Sequence, residues 1–233
     1  MRKIGIIGAM DEEVKRLKEL MQNVQIKSIA SMDFYEGYFE KVPLVVVRSG
    51  IGKVNAALCT QILIDRYDIE IVINTGVAGS LRNEIDIADI VLSTEALQHD
   101  MDARGFGYEM GVIPRMDKSI FTADIKLVNL AKKVCSEVLP SLGVHTGRVL
   151  SGDQFISDTK KKEWLVNTFD GYCTEMEGAA IAQAAYLNNI PFLIIRAISD
   201  KADQSAEMVY SEFEELAIDN TVKLLTELIK QID

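Results

Sequence analysis

The sequence predicts a single α/β domain spanning residues 1–233, a three-layer sandwich with a mostly parallel sheet covered by helices on both faces. Three observations carry that prediction. Short apolar runs alternate with helical patterns along the whole chain, as βαβ units do. Most of these runs are continuous rather than alternating, which is how strands buried on both faces read. No Pro-, Gly- or Ser-rich stretch, fixed-period repeat or low-complexity segment interrupts the order, so one domain is expected.

The run at 3–8 (KIGIIG) is bounded by glycine and fits a buried first strand. Asp11 is expected to cap a helix to about residue 22, with Val14, Leu17 and Met21 on one face. Residues 34–39 alternate as a half-buried strand with its turn at Lys41, and 43–49 (PLVVVRS) form a continuous buried strand. That strand runs into GIGK and a helix of small and apolar residues at 54–67. A strand at 70–75 then enters a glycine loop at 76–80, followed by a strand at 89–94 and a helix at 126–139. A strand at 144–151 ends in SGDQF, and a helix follows at 158–168. A small-residue helix at 177–187, a strand at 191–198 and a long helix at 208–232 complete the chain.

In such sheets ligands bind beyond the carboxyl ends of the strands. The stretches to interrogate are therefore 9–13, 50–53, 76–80, 151–156, 174–178 and 199–203. They hold several acids and glycines and almost no bases. The whole chain is acidic too, with 35 acidic against 25 basic residues and a net charge of -10. That field repels nucleic acid and an anionic membrane surface, and leaves small neutral or cationic ligands as partners. Cys59, Cys135 and Cys173 are scattered, odd in number and without CxxC spacing, so they read as reduced core residues of a cytoplasmic protein. The first apolar run meets Asp11, Glu12 and Glu13 too soon for a signal segment or a membrane span.

Several chemistries lack their residues. A phosphate loop of the Walker type needs glycine where Val47 stands, and a dinucleotide fingerprint needs it where Asn55 stands. The two histidines, His99 and His145, are far apart and no HExxH or GxSxG pattern occurs. No metal or cofactor is expected. His99-Asp100 follows a strand, where it can orient a ligand or simply make local hydrogen bonds.

Three acidic groups sit where the sheet opens. Asp11-Glu12-Glu13 begins a helix, where acids favour the macrodipole whatever else they do. Glu175-Met176-Glu177 opens another helix, but Glu175 has little polarity around it. Asp200 ends the apolar run PFLIIRAIS, with Asp203 close behind and Arg196 inside the run. A buried arginine requires a carboxylate or ligand partner. Together these groups match the needs of N-glycoside hydrolysis, in which one carboxylate activates water and another acid protonates the departing base. Other carboxylate chemistries fit the composition equally well.

At the same residues the chain resembles the bacterial 5'-methylthioadenosine/S-adenosylhomocysteine nucleosidases of the purine nucleoside phosphorylase superfamily. The resemblance runs nearly end to end through IGIIGAMDEEV, SGIGKVNAA, INTGVAGSL, HDMDARGFGYEMG, SGDQFI, EMEGAAIAQ and RAISDKAD. It implies a nucleoside phosphorylase-like fold with a mostly parallel, mixed central sheet, and cleavage of adenine from ribose without a cofactor. By this resemblance Glu13 positions the attacking water, while Asp200 binds adenine and protonates it. Glu177 and Met176 hold ribose, and Arg196, Glu175 and Ser199 support the water and the aspartate. Phe155 and Ile156 bind adenine, and Gly79 is a further substrate-binding residue. Met10, Ile51 and Tyr210 wall the 5' substituent, and Phe106 and Pro114 reach in from the partner of a homodimer. Water replaces phosphate as nucleophile because Glu13 stands where related phosphorylases bind the anion.

Two departures bear on substrate. Tyr210 stands where phenylalanine is common, and Arg104 enters a segment that often carries small or apolar residues. The strings VAGSL, QHD and SGDQF also resemble relatives that hydrolyse 6-amino-6-deoxyfutalosine, whose aromatic carboxylate Arg104 is suited to bind. Three alternatives follow: hydrolysis of methylthioadenosine and adenosylhomocysteine, with 5'-deoxyadenosine or aminodeoxyfutalosine as further substrates; a phosphorylase; or a silent nucleoside-binding module.

Overall fold

The computed structural model describes residues 2–232, with the side chains of 207–212 outside the description. Parallel strands β1 (Ile4–Gly8), β4 (Val42–Arg48) and β5 (Ile71–Ser80) pair side by side at its centre. β1 and β5 are buried at every position, and Leu44 to Val47 of β4 are buried too, as the continuous apolar runs require. Helix α1 (Asp11–Leu20) follows β1, and α2 (Lys53–Tyr67) connects β4 to β5. The two crossovers step in opposite directions across β1, so right-handed connection places their helices on opposite faces. α2 packs on α5 (Gly178–Leu187), while α6 (Ala206–Gln231) joins α1 and α3 (Ile125–Val138). The layers are those of a mixed sheet flanked by helices.

The sheet also closes on itself. β5 pairs with β10 (Phe192–Asp200), β10 with β6 (Ile90–Gln98), and β6 with β8 (Val144–Ser151). β8 then pairs with β9 (Cys173–Glu175), and β9 returns to β5 through Gly79 and Ser80. This circuit draws the ends of β5, β9 and β10 together, and β1 runs alongside β5.

The structure corrects several local expectations. Residues 76–80 are not a glycine loop but the last half of β5, buried throughout. The glycines there permit close approach of side chains rather than a turn. α1 ends at Leu20, and β2 (Gln22–Ile29) takes over as an edge strand paired to β3 (Met32–Phe39). Its sequence QNVQIKSI gives no apolar signal because it is largely exposed along its length. β7 (Ile120–Thr122) and β9 are three residues each, too short for any period to register. β6 continues beyond residue 94 to Gln98, and β10 reaches Asp200. The N-cap of α1 is Met10, not Asp11, which with Glu12 is exposed in the first turn. α4 (Thr159–Phe169) begins where expected, its N-cap Asp158 accepting from the Lys161 N–H.

His99, just after β6, is fully buried, and neither ring nitrogen has a hydrogen-bond partner. It therefore makes none of the local hydrogen bonds expected of it among the described residues. Burial holds its pKa down at about 4 against an ordinary 6.5. The unfolded chain binds the proton more tightly, so stability falls as pH drops from 6.5 toward 4. Between pH 7 and 5 the ring is expected to remove about 2 kcal/mol of stability. Urea unfolding of wild type and His99→Leu at both pH values measures it, and parallel pH dependence in the two proteins would refute it.

Candidate active site

Glu13 points inward from the first turn of α1. Its Oε2 accepts the N–H groups of Ala9 (2.6 Å) and Met10 (3.0 Å), which satisfies donors at the helix start. Its Oε1 accepts the Val77 N–H at 3.2 Å and so ties α1 to β5. Burial raises the pKa of this carboxyl, opposed by the Arg196 charge and the three N–H groups. The helix-start explanation for this acidic group holds for Asp11 and Glu12, whereas Glu13 is both cap and cleft residue.

Arg196 lies fully buried in β10, with partners for its Nη2 but none for its Nε among the described residues. Its Nη2 donates to Asn74 Oδ1 (2.6 Å) and to Glu175 Oε2. Asn74 in turn donates to the Ile7 carbonyl at 2.9 Å, so the guanidinium is braced against β1 through β5. Gly76 separates Arg196 from Glu13. A Cβ there would stand 2.3 Å from Glu13 Oε1 and 2.4 Å from Arg196 Nη1. Gly76→Ala is therefore expected to lower stability by about 1–3 kcal/mol through overpacking, read from urea midpoints. An unchanged midpoint would mean that the two charges separate freely.

Glu175 ends β9. Besides Arg196 it accepts from Ser151 Oγ and from the N–H groups of Glu177 (3.1 Å) and Gly178 (2.8 Å), which caps α5. Ser151 Oγ accepts the Ala179 N–H at 2.7 Å. Glu177, the N-cap residue of α5, accepts the Gly52 N–H on Oε1 at 2.8 Å. Burial, reinforced by neighbouring Glu175, pushes its pKa up to about 8. At the end of β10, Asp200 is 2% exposed and accepts from Ala202 N–H (2.7 Å) and Ser199 Oγ (2.8 Å). Burial raises its pKa as well. Gly79 lies so near that a Cβ would be 2.8 Å from Asp200 Oδ1.

These groups line one cleft of about 210 Å³, smaller than the roughly 300–1,000 Å³ usual for small-molecule sites. Glu13, Glu175, Glu177 and Asp200 reach its wall with Met10, Met176, Ile51, Phe155, Gly79 and Ser199, and no Lys, Arg or His among the described residues does. Ile156 borders a smaller arm between Phe155 and Asp200. Gly76, Ser151 and Thr174 fell within the stretches singled out in the sequence without being given a role, and Asn74 lay outside them. Asn74 nonetheless had a signal, as a polar residue inside an apolar strand.

The remaining expected residues lie elsewhere. Phe106 is 87% exposed on a 3₁₀ turn, Arg104–Phe106, and neither it nor Pro114 lines the cleft. Arg104 is engaged by both oxygens of Asp102 (2.9 and 2.7 Å) and is likewise no cleft residue. The side chain of Tyr210 is outside the described residues. Among the described residues no group of three or more His, Cys, Asp or Glu is arranged to hold a metal ion.

A cleft of carboxylates at the strand ends of this partly closed mixed sheet defines an enzyme fold of the nucleoside phosphorylase class. The model of the phosphorylase superfamily matches residues 3–230. A 5'-methylthioadenosine/S-adenosylhomocysteine nucleosidase of Exiguobacterium is 44% identical over 99% of both chains. The crystal structure of the nucleosidase of that name from Neisseria meningitidis, in complex with methylthio-immucillin-A, superposes with a TM-score of 0.95 at 36% identity, covering 100% of each chain. A futalosine hydrolase of Helicobacter pylori superposes with a TM-score of 0.94 at 32% identity, over 99% of this chain and 98% of that one. The chain belongs to the phosphorylase superfamily and, within it, to the family of 5'-methylthioadenosine/S-adenosylhomocysteine nucleosidases.

Proposed function

We propose that this protein hydrolyses the N-glycosidic bond of 5'-methylthioadenosine and S-adenosylhomocysteine, releasing adenine and the 5'-thio-substituted ribose, with 5'-deoxyadenosine as a further substrate. One observation carries the reading: four carboxylates and no free cation line the cleft among the described residues. The one buried guanidinium is already engaged by Glu175 and Asn74. Phosphate would find no free cation there to bind it, whereas water needs none. The charged form of Glu13 also favours the cationic, oxocarbenium-like sugar of the transition state.

Within this reading Glu13 takes a proton from the attacking water. Its raised pKa makes it a stronger base, and Arg196 with the three N–H donors favours the charged form that the step needs. Adenine lies in the arm bounded by Phe155, Ile156 and Gly79, against Asp200. Asp200 holds a proton closer to neutral pH than an ordinary aspartate, and passes it to the purine ring as the bond breaks. Glu177 has one oxygen on Gly52 and the other for ribose hydroxyls, with Met176 beneath the sugar. Met10 and Ile51 border the 5' group. The 1–233 chain acts as one domain, since the site draws on strands from β1 to β10.

A second copy is assigned to the mouth. Its Phe106 and Pro114 would complete the 5' pocket, and the exposure of Phe106, Ile51 and Val54 supports this. A cytoplasmic setting is supported by three buried, unpaired thiols, and no helix among the described residues is long and apolar enough to cross a membrane.

Adenine release from both nucleosides in phosphate-free buffer tests the reaction. Free 5-thio-substituted ribose, at a rate indifferent to phosphate, is the expected result. Release that requires phosphate and yields the 5-thio-substituted ribose 1-phosphate would make the protein a phosphorylase. Preference for aminodeoxyfutalosine, unchanged in Arg104→Ala, would give the alternative substrate without a role for that arginine.

A further inference from the structure

Three loops that frame the cleft are tied by a closed cycle of charged residues that do not themselves line it. Lys53 opens α2, and its backbone N–H donates to Asp153 Oδ1 at 2.8 Å. The Asp153 N–H donates to Asp100 Oδ2 at 2.9 Å. Asp100 Oδ1 accepts from Lys53 Nζ at 2.5 Å, and that ammonium also donates to Gln98 Oε1 at 3.0 Å. Residues 50–53, 98–100 and 152–155 are thereby closed on one another.

The neighbours of the cycle are cleft residues. Ile51 precedes Lys53 by two positions, and Phe155 follows Asp153 by two; both line the wall. Gly52, between Ile51 and Lys53, donates its N–H to Glu177 Oε1. The Lys53 and Asp100 side chains are only 17% and 18% exposed, so their ion pair is less screened than a surface pair. Asp153 is exposed, so its side chain fills no part of the apolar core.

We propose that Asp100, acting through Lys53 and Asp153, is a positioning residue that holds the Ile51 and Phe155 walls at the separation a bound adenine nucleoside requires. The inference rests on the nucleosidase reading given above. Loops left unlatched must be ordered by the ligand itself, and that ordering subtracts from affinity. The chemistry is spared, because Glu13 and Asp200 are fixed by separate hydrogen bonds on α1 and β10.

The experiment measures kcat and KM for methylthioadenosine, and Kd for adenine by calorimetry, in Asp100→Ala, Asp153→Ala and the double variant. Each single variant is expected to raise KM and adenine Kd about tenfold, the scale of one lost charge-assisted hydrogen bond. kcat should stay within about twofold, since no group at the reacting atoms changes. The double variant should also be weaker by about tenfold rather than a hundredfold, because the two residues form one unit. KM and Kd within twofold of wild type, a fall in kcat at unchanged KM, or losses that multiply would each overturn the proposal. If Asp100→Ala fails to fold, the exposed Asp153→Ala decides alone. A wild-type protein that releases no adenine overturns the nucleosidase reading instead, and the adenine titrations then judge the latch separately.

Discussion

Glu13→Gln is expected to lower adenine release about 10²–10⁴-fold, the contribution of a positioned general base, while nucleoside binding is largely kept. The carboxylate receives three backbone N–H groups on two oxygens, from Ala9, Met10 and Val77. An amide has one acceptor oxygen, so its NH₂ must face at least one of those donors. The variant should accordingly lose about 1–3 kcal/mol of stability as well, and activity must be read where the protein is still folded. The pH profile separates the two losses. In wild type, kcat falls at acid pH as Glu13 takes up a proton, from a pKa that burial has raised. In the glutamine variant that limb should vanish. A folded Glu13→Gln protein releasing adenine at the wild-type rate would remove Glu13 from water activation.

The same residue illustrates what a sequence holds and withholds. That Glu13 begins a helix was legible from DEE following a glycine-bounded strand. Its two neighbours have the same chemistry and the same helix, yet face solvent. What turns Glu13 inward is the 3.6-residue period, which puts it beside buried Val14 and Leu17. Arg196 was legible for a different reason. A charge inside an apolar strand demands partners, and its Nη2 found them, but the identity of one partner was not foreseeable. Asn74 is far away in sequence, and only the β5–β10 pairing, in register Asn74 to Ile194, brings it near.

Glycine was misread for a physical reason too. A run such as TGVAGS signals a turn by local conformational freedom. In this chain the glycines answer a steric demand instead. Gly76 and Gly79 leave room for Glu13, Arg196 and Asp200 to crowd a buried strand. That demand arises from the closed circuit of strands, which pairings distant in sequence create. The parallel core was legible because burial on two faces leaves continuous apolar runs. The polar edge strand β2 and the short β9, by contrast, leave no such trace. β9 nonetheless carries Glu175, so part of the site sits on an element without a pattern of its own.

Asp200→Asn is expected to reduce kcat about 10²–10⁴-fold through loss of the proton donor, with a KM close to that of wild type. The substitution suits the site sterically. Its Oδ1 can still accept the Ala202 N–H, and its Nδ2 can donate to Ser199 Oγ, which now takes the 2.8 Å contact as acceptor. Ser199 Oγ retains the Ala78 carbonyl for its own proton. Both contacts of the aspartate are kept, so the unfolding midpoint should move little. What is lost is a proton that burial makes the aspartate hold to higher pH than an ordinary carboxyl does. Leaving-group chemistry gives the sharper test. Adenine departs as an anion unless its ring is protonated, whereas nitrophenolate is stable without a proton. A 5-methylthioribosyl nitrophenyl ether should therefore be cleaved by Asp200→Asn with a much smaller deficit than methylthioadenosine shows. Equal deficits on the two substrates would mean that Asp200 serves to position the sugar or the water, and the proton to adenine would need another source.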